Sequence, residues 1–449
     1  MVGNGAAVSD AGVSTDTNGN ILPLVLEDSG VHRMSTPARP IGWIDRTVNA
    51  GLASLTTGCA TVSFGDFDGD HDLDLFVPDT TLKVLRNDGH GVFSPWINLS
   101  LPGEVALQMN GRCPQVVRDL DGDGRLDVAV AALDSRVVVA WGERDGTMTA
   151  QTFGSPTPNG SSPFAAAWIT GAGVAPILFV GQVFDGAAQE QNCDYDPRGI
   201  NVECRFEIRE PPQVAFRFEG RSATAVTDPA LLAPGNVQGA SAVDIDRDGV
   251  EDLVLAVDFA PQRALRRTAT GFVDVSRATG VDVFGHGMGV ALTADTMLIS
   301  TIGGLLDYAR TPTGFELRGD DSALMDRKRN VWPWQVDMVD LNADGRLDVL
   351  QINGFSLDAE SPDPIEWLHT IGGRQDFMGN FDTIFVARAD GNYDERRLSY
   401  SSIMEGSGRG VASAFGDLGT GHVEIALPVR HPGAEPYTVV LGRPDFAAP

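Results

Sequence analysis

The chain has 449 residues, 42% of them hydrophobic, with 61 Asp and Glu against 33 Lys and Arg and a formal net charge of −28. That apolar content excludes a disordered acidic tail, and the charge argues against nucleic acid and anionic membranes, both of which need a basic footprint. No apolar run approaches the ~18 residues of a bilayer span, and 52 Gly with 26 Pro point to a turn-rich, all-β chain.

Residues 1–40 read as an extended N-terminal tail. Its best apolar run is only Ile21 to Leu26, with no basic segment ahead of it, so a secretion signal is expected to be absent from this chain. The first patterned element follows: Ser63-Phe64-Gly65 leads into Asp66, Asp68, Asp70 and Asp74 and then Leu75-Phe76-Val77. The same arrangement returns with Asp119, Asp121, Asp123 and Asp127 before Val128-Ala129-Val130, and with Asp244, Asp246, Asp248 and Asp252 before Leu253-Val254-Leu255. A fourth copy replaces one carboxylate by an amide: Asp340, Asn342, Asp344 and Asp348, then Val349-Leu350.

Oxygens at positions 1, 3, 5 and 9 of a short loop, with glycines such as Gly69, Gly122, Gly249 and Gly345 between them, suit a large hard cation. Ca²⁺ takes about six to eight oxygens at ~2.3–2.6 Å, and three or four carboxylates supply much of that shell. A single such loop could be a solvated acidic turn, but four copies at fixed offsets predict about four structural Ca²⁺ ions. An EF-hand is excluded, because its bidentate Glu at position 12 is replaced by Val77, Val130, Leu255 and Gln351.

The first ligands lie 53, 125 and 96 residues apart, which leaves room for a skipped unit in each longer interval. Phe164–Ile169 with Ile177–Val180 fills the first, and Gly287–Leu292 with Met297–Ser300, turning near Asp295, fills the second. Downstream, Gly410–Asp417 leading to Ile425 keeps the scaffold with three of four ligands lost. Strand-turn-strand units at a period of about 50 residues predict a β-propeller. The expected organisation is one seven-bladed domain over 41–449, with calcium loops in four blades and insertions at about 182–235 and 353–400.

Gly65-Asp66-Phe67-Asp68-Gly69-Asp70 and Gly416-Asp417-Leu418 resemble the FG-GAP repeat, the calcium-loop blade of the integrin α-subunit propeller. Trp43-Ile44-Asp45-Arg46-Thr47, Gly51-Leu52, the Arg86-Asn87-Asp88-Gly89 turn and Arg409-Gly410-Val411-Ala412 are similar to the cartilage acidic protein and UnbV-type branch. The resemblance covers roughly residues 40 to 445 and implies the fold. That superfamily spans adhesion receptors, lectins, matrix proteins and a few enzymes, so it implies no single function.

Four cysteines remain. Cys59 and Cys113 precede Asp66 and Asp119 by nearly equal distances, so a disulfide stapling the first two blades is expected, with free thiols as the alternative. Cys193 and Cys204 would close a local loop. Calcium loops and disulfides together favour a secreted or periplasmic setting.

Aligning the units gathers Cys59, Arg112, Phe164, Gln238, His286, Trp332 with Trp334, and Arg409 where chain enters the innermost strands. Of these, Arg112, Gln238, His286, Trp332, Trp334 and Arg409 form the candidate ligand site, a funnel for a glycan, protein or small molecule. Dull alternatives stand beside each: His286 as a turn residue, the tryptophans as packing, the arginines as caps on carbonyls. Binding without chemistry is the first expectation. Lyase or cyclase chemistry in the same funnel is the second, with His286, Arg112, Arg409 and Glu405 as catalytic candidates and Asp295 or Asp337 as further carboxylates.

Overall fold

Apolar runs bounded by Gly and Asp turns become strands, and they assemble into small antiparallel sheets. The computed structural model describes residues 39–446 apart from 108–110, 157–160, 185–190, 196–201, 207–210, 259, 302–303, 319–323, 325–332, 354–381, 400–412 and 430–435. Among these residues there is no helix, and so none long and apolar enough to cross a membrane.

Sheet 1 pairs Ser63–Gly65, Asp74–Pro78, Thr81–Asn87 and Phe93–Ser100 in that order. Sheet 2 has Gln115–Arg118, Asp127–Ala131, Val137–Gly142 and Met148–Phe153; sheet 3 has Ser161–Ile169, Ile177–Phe184, Val214–Glu219 and Ser222–Ala225. Sheet 4 follows with Asn236–Val243, Asp252–Asp258, Arg263–Thr268 and Gly271–Asp274, and sheet 5 with Gly287–Leu292, Thr296–Thr301, Gly304–Thr311 and Gly314–Leu317. All run in meander order, as hairpin connections dictate. The two skipped units of the repeat and the ligand-poor downstream one are therefore real strand pairs, in sheets 3 and 5 and at Ala414–Asp417 with Val423–Val429.

The remaining strands fuse into one larger sheet. Pro333–Val339, Asp348–Asn353, Thr383–Ala387 and Tyr393–Ser399 form one half, and Ala414–Asp417, Val423–Val429 and Tyr437–Asp445 the other. The strand Arg39–Asp45 lies between the halves, antiparallel to Tyr437–Asp445 (Trp43 opposite Pro444) and parallel to Tyr393–Ser399 (Ile41 opposite Leu398). The segment 182–235 is not all insertion, because Val214–Glu219 and Ser222–Ala225 complete sheet 3. Likewise 383–399 supplies two strands of the larger sheet, so the surplus chain in both segments is shorter than expected. Gln191–Tyr195 and Val202–Phe206 form a separate ribbon whose register sets Cys193 opposite Cys204.

Second strands such as Asp74–Pro78, Asp127–Ala131 and Asp252–Asp258 are buried along their whole length. Each sheet is covered on both faces, which is why these strands read as unbroken apolar runs. The core is accordingly divided into clusters between consecutive sheets. Phe76, Leu82, Val130 and Val138 fill the space between sheets 1 and 2; Trp141, Trp168 and Phe218 that between sheets 2 and 3. Leu75 and Val77 of sheet 1 pack with Val439 and Leu441 near the chain's end, so the succession returns to its start. First strands neighbour one another in the same order, and Gln335 spans to Ser413 to join the two halves of the larger sheet at the inner edge. This ring of small antiparallel sheets is the arrangement of a β-propeller.

Cys59 and Cys113 are disulfide-bonded, with Cα atoms 5.6 Å apart and a sequence separation of 54. The bond ties the entry to sheet 1 onto the entry to sheet 2. By loop-closure entropy a cross-link of this span contributes about 4 kcal/mol.

Candidate functional site

Two groups of candidate side chains emerge, at opposite ends of the first strands. The acidic loops occupy the turns between first and second strands, and all four share one backbone course. Positions 4 and 6 have positive φ in each: Gly69 and His71, Gly122 and Gly124, Arg247 and Gly249, Ala343 and Gly345. The left-handed residues fold the loop around the carboxylate at position 1. Asp119 accepts the N–H groups of Gly122 and Gly124 at 2.7 and 2.8 Å; Asp340 accepts those of Asp344 and Gly345 at 3.0 and 2.8 Å.

Carboxylate oxygens from Asp66, Asp68 and Asp70 lie within 4.8 Å of one another, as do those of Asp119, Asp121 and Asp127, and of Asp244, Asp246 and Asp248. All-oxygen donors this close, on a turn that leaves one side open, fit a hard divalent cation. The fourth loop, Asp340, Asn342, Asp344 and Asp348, keeps the fold of the others with one charge fewer.

The ninth-position carboxylates do something else as well. Asp74, Asp127, Asp252 and Asp348 are buried, and each accepts two backbone N–H groups. One comes from loop position 2 (Phe67, Leu120, Ile245, Leu341, at 2.8–3.1 Å). The other comes from the third strand (Asn87, Gly142, Arg267, Ala387, at 2.7–2.9 Å). Burial pushes all four carboxyls up to about 6, against the pull of these hydrogen bonds. They are struts tying the loop to the sheet.

The ligand-poor turns are held by direct contacts instead. Glu251 accepts both the N–H and the hydroxyl of Thr170 at 2.7 Å, and Gly171 bridges to Val250, so the turn of sheet 3 leans on the acidic loop of sheet 4. In the last turn Asp417 still accepts three N–H groups, and buried Glu424 pairs with Arg46 at 2.6 Å.

At the other end, four of the aligned residues converge. The Arg112 guanidinium lies 4.8 Å from the Phe164 ring centroid and 6.0 Å from that of Trp334. It donates to the carbonyl of Gln238 at 3.0 Å and to that of Trp334. Only 8% exposed, Arg112 thus links four sheets across the middle of the ring, the carbonyl-capping role weighed in the sequence. Burial lowers its pKa to about 10. Asp337 faces it, hydrogen-bonded by Gln335, and burial raises this carboxyl to about 7 while Arg112 pulls it down.

A carboxyl raised on folding stabilises the protein below its unfolded pKa near 3.8 and loses that contribution as pH rises through 7. Melting measured in excess calcium is expected to show wild type losing about 2 kcal/mol between pH 5 and pH 8. The Asp337→Asn variant should show a flatter profile, and identical slopes would remove Asp337 as the titrating group.

His286 is placed by a different set of contacts. A two-stranded bridge, Ala260–Pro261 with Phe284–Gly285, brings it to Asp258 at the end of sheet 4's second strand. Its Nδ1 lies 2.9 Å from Asp258 Oδ1, and Asn236 donates to the other carboxylate oxygen at 3.4 Å. Phe284, 60% exposed, meets the imidazole edge-on at 6.4 Å. Asp295 is not its partner: the strand Gly287–Leu292 separates them by roughly 20 Å. Sequence reasoning missed Asp258, although its place at the end of a second strand, beside the start of the next sheet's first strand, was a usable sign. Trp332, Arg409 and Glu405 lie outside the described residues.

Residues 119–172, the second acidic loop through the first strand of sheet 3, match the FG-GAP-like repeat. No curated protein matches the chain in sequence. A crystal structure of BBS1N in complex with ARL6DN, soaked with mercury, superimposes with a TM-score of 0.50 at 11% identity, over 91% of this chain and 99% of that one. The BP39L lectin from Burkholderia pseudomallei gives a TM-score of 0.48 at 12% identity, over 84% of this chain and 93% of the lectin. AofleA from Arthrobotrys oligospora gives 0.39 at 9%, over 78% and 92%. At 11% identity, the likeness to BBS1N concerns the fold alone.

Proposed function

We propose that this chain is a calcium-stabilised, seven-bladed β-propeller of the FG-GAP type that works in a secreted or periplasmic setting and binds a ligand where its first strands begin. In this reading the two halves of the larger sheet are blades six and seven. The observation that carries the proposal is the division of labour between the two ends of the strands. Acidic loops of one geometry gather at one end, and aromatic, arginine, amide and imidazole groups at the other. Asp66, Asp68, Asp70 and Asp74, Asp119, Asp121, Asp123 and Asp127, Asp244, Asp246, Asp248 and Asp252, and Asp340, Asn342, Asp344 and Asp348 would hold the ions, which supply charge compensation and no chemistry. The Cys59–Cys113 disulfide supports an oxidising compartment.

Phe284 beside His286 offers a ring face and a polar edge, as a glycan or a polar small molecule requires. A glycan and peptide array probed with the calcium-loaded protein is the test. Capture of one ligand class is expected, weakened at least tenfold by Phe284→Ala with no change in melting. Capture that Phe284→Ala and Trp334→Ala both leave intact would move the site elsewhere. A second reading, an acid–base enzyme of lyase or cyclase type, is favoured by the Asp258–His286 pair. It requires that His286→Gln abolish turnover while leaving capture intact.

A further inference from the structure

An arginine from outside the loop sits over the middle carboxylates in three of the acidic loops. In sheet 1, Arg86 of the third strand reaches Asp68 at 2.5 Å and Asp70 at 3.1 Å. In sheet 4, Arg266 occupies the equivalent place and lies 3.7 Å from Asp246. Both immediately precede the residue whose N–H binds the ninth-position carboxylate, Asn87 or Arg267.

Sheet 2 has Trp141 at that place, ahead of Gly142. The loop's own Arg125 pairs with Asp123, as Arg346 does with Asp344 in the fourth loop, and a further arginine comes from the neighbouring sheet. Arg221, on the turn between Val214–Glu219 and Ser222–Ala225, lies 5.5 Å from the Trp141 ring centroid. It binds Asp121 through Nε at 2.6 Å, approaches Asp123 through Nη2 at 3.4 Å and holds Glu143 through Nη1 at 2.6 Å. In the larger sheet the equivalent residue is Val386, and among the described residues only the loop's own Arg346 reaches Asp344. A guanidinium is thus delivered to one spot by two routes, one of them across a sheet boundary.

We propose that Arg221 competes with the cation for Asp121 and thereby couples occupancy of the second loop to the adjacent sheet. This rests on the calcium reading above. Asp121 offers two oxygens: Oδ1 accepts the Asp123 N–H at 3.1 Å and Oδ2 accepts Arg221. A cation drawing on Asp121 and Asp123 repels the guanidinium and weakens its hold there, leaving Glu143 and the Gly142 carbonyl as its anchors. Such a shift is felt locally, because Gly220 lines a cleft between the sheets together with Asp119, Asp121, Trp168 and Phe218. Cation uptake would then reshape that cleft, whereas in the fourth loop, among the described residues, there is no arginine of a neighbouring sheet to move.

The test uses terbium as a calcium substitute, excited through tryptophan, since Trp141 and Trp168 flank this loop. Asp119→Asn should remove the sensitised emission and so assign it. In Arg221→Gln the half-saturating terbium and calcium concentrations should fall about fivefold, the scale of one well-formed exposed ion pair. Glu143→Gln should raise them, and should lose most of that effect when Arg221 is also replaced. Hydrogen exchange at residues 219–223 should respond to calcium in wild type and not in Arg221→Gln. Emission that is absent from wild type, or survives Asp119→Asn, overturns the metal assignment of this loop. Emission intact and assigned, with half-saturation unmoved by Arg221→Gln, overturns the role of Arg221 alone.

Discussion

Chelation with EDTA is expected to lower the melting temperature by about 10 °C or more. Each ion bound at a hundredfold excess over its dissociation constant stabilises the folded state by about 2.7 kcal/mol, so four sites contribute on the order of 10 kcal/mol. A folded body of this size has an unfolding entropy of roughly 0.9 kcal/mol per degree, which converts that figure to a shift near 12 °C. The electrostatic source is local. Asp66, Asp68, Asp70, Asp72 and Asp74 crowd one short turn, and Arg86 answers only part of their charge. Differential scanning calorimetry with and without EDTA checks it, and a melt that does not move would eliminate structural calcium.

Asp127→Ala is expected to cost about 4 kcal/mol even in EDTA, because it leaves the buried N–H groups of Leu120 and Gly142 without their acceptor. Asp123→Ala should behave oppositely. Its carboxylate accepts only from exposed groups of Arg125 and Arg221, so the substitution should be nearly neutral in EDTA while cancelling the gain that calcium gives at that loop. Urea unfolding of both variants in both buffers separates the two roles. If Asp127→Ala were also neutral in EDTA, the ninth position would be a metal ligand and nothing more.

The dual use of that position was not legible in the sequence, where Asp127 and Asp123 are the same letter in the same motif. What distinguishes them is that Asp127 opens the buried second strand, while Asp123 sits at the tip of a turn. Spacing alone did reveal the period, and with it the strand pairs of sheets 3 and 5 that lack acidic loops. The nearly equal offsets of Cys59 and Cys113 from their loops likewise located the disulfide, since equivalent points on adjacent sheets lie close together. Register of the repeats also brought Arg112, Phe164, Gln238 and Trp334 to one place. It could not reveal that the guanidinium of Arg112 would turn onto backbone carbonyls, because side-chain rotation is not a property of spacing. Arg221 was invisible for a related reason: it serves an acidic loop about a hundred residues earlier, from a turn with no motif of its own. His286 and Asp258 are joined by a bridge of two residues on each side, too short to leave a periodic pattern.

The strand Arg39–Asp45 pairs with a strand nearly 400 residues further along and, on its other edge, with Tyr393–Ser399. Contacts that span most of the chain carry a high loop-closure cost and form late, so completion of the ring should be the slow step of folding. Until Tyr437–Asp445 has been synthesised, the edge of Arg39–Asp45 that will pair with it stays open, and open strand edges recruit other chains. Folding yield should therefore depend on concentration and on how quickly the last strand finds the first. The Cys59–Cys113 bond joins neighbouring sheets and, once made, limits how far the partly built ring can spread while it waits.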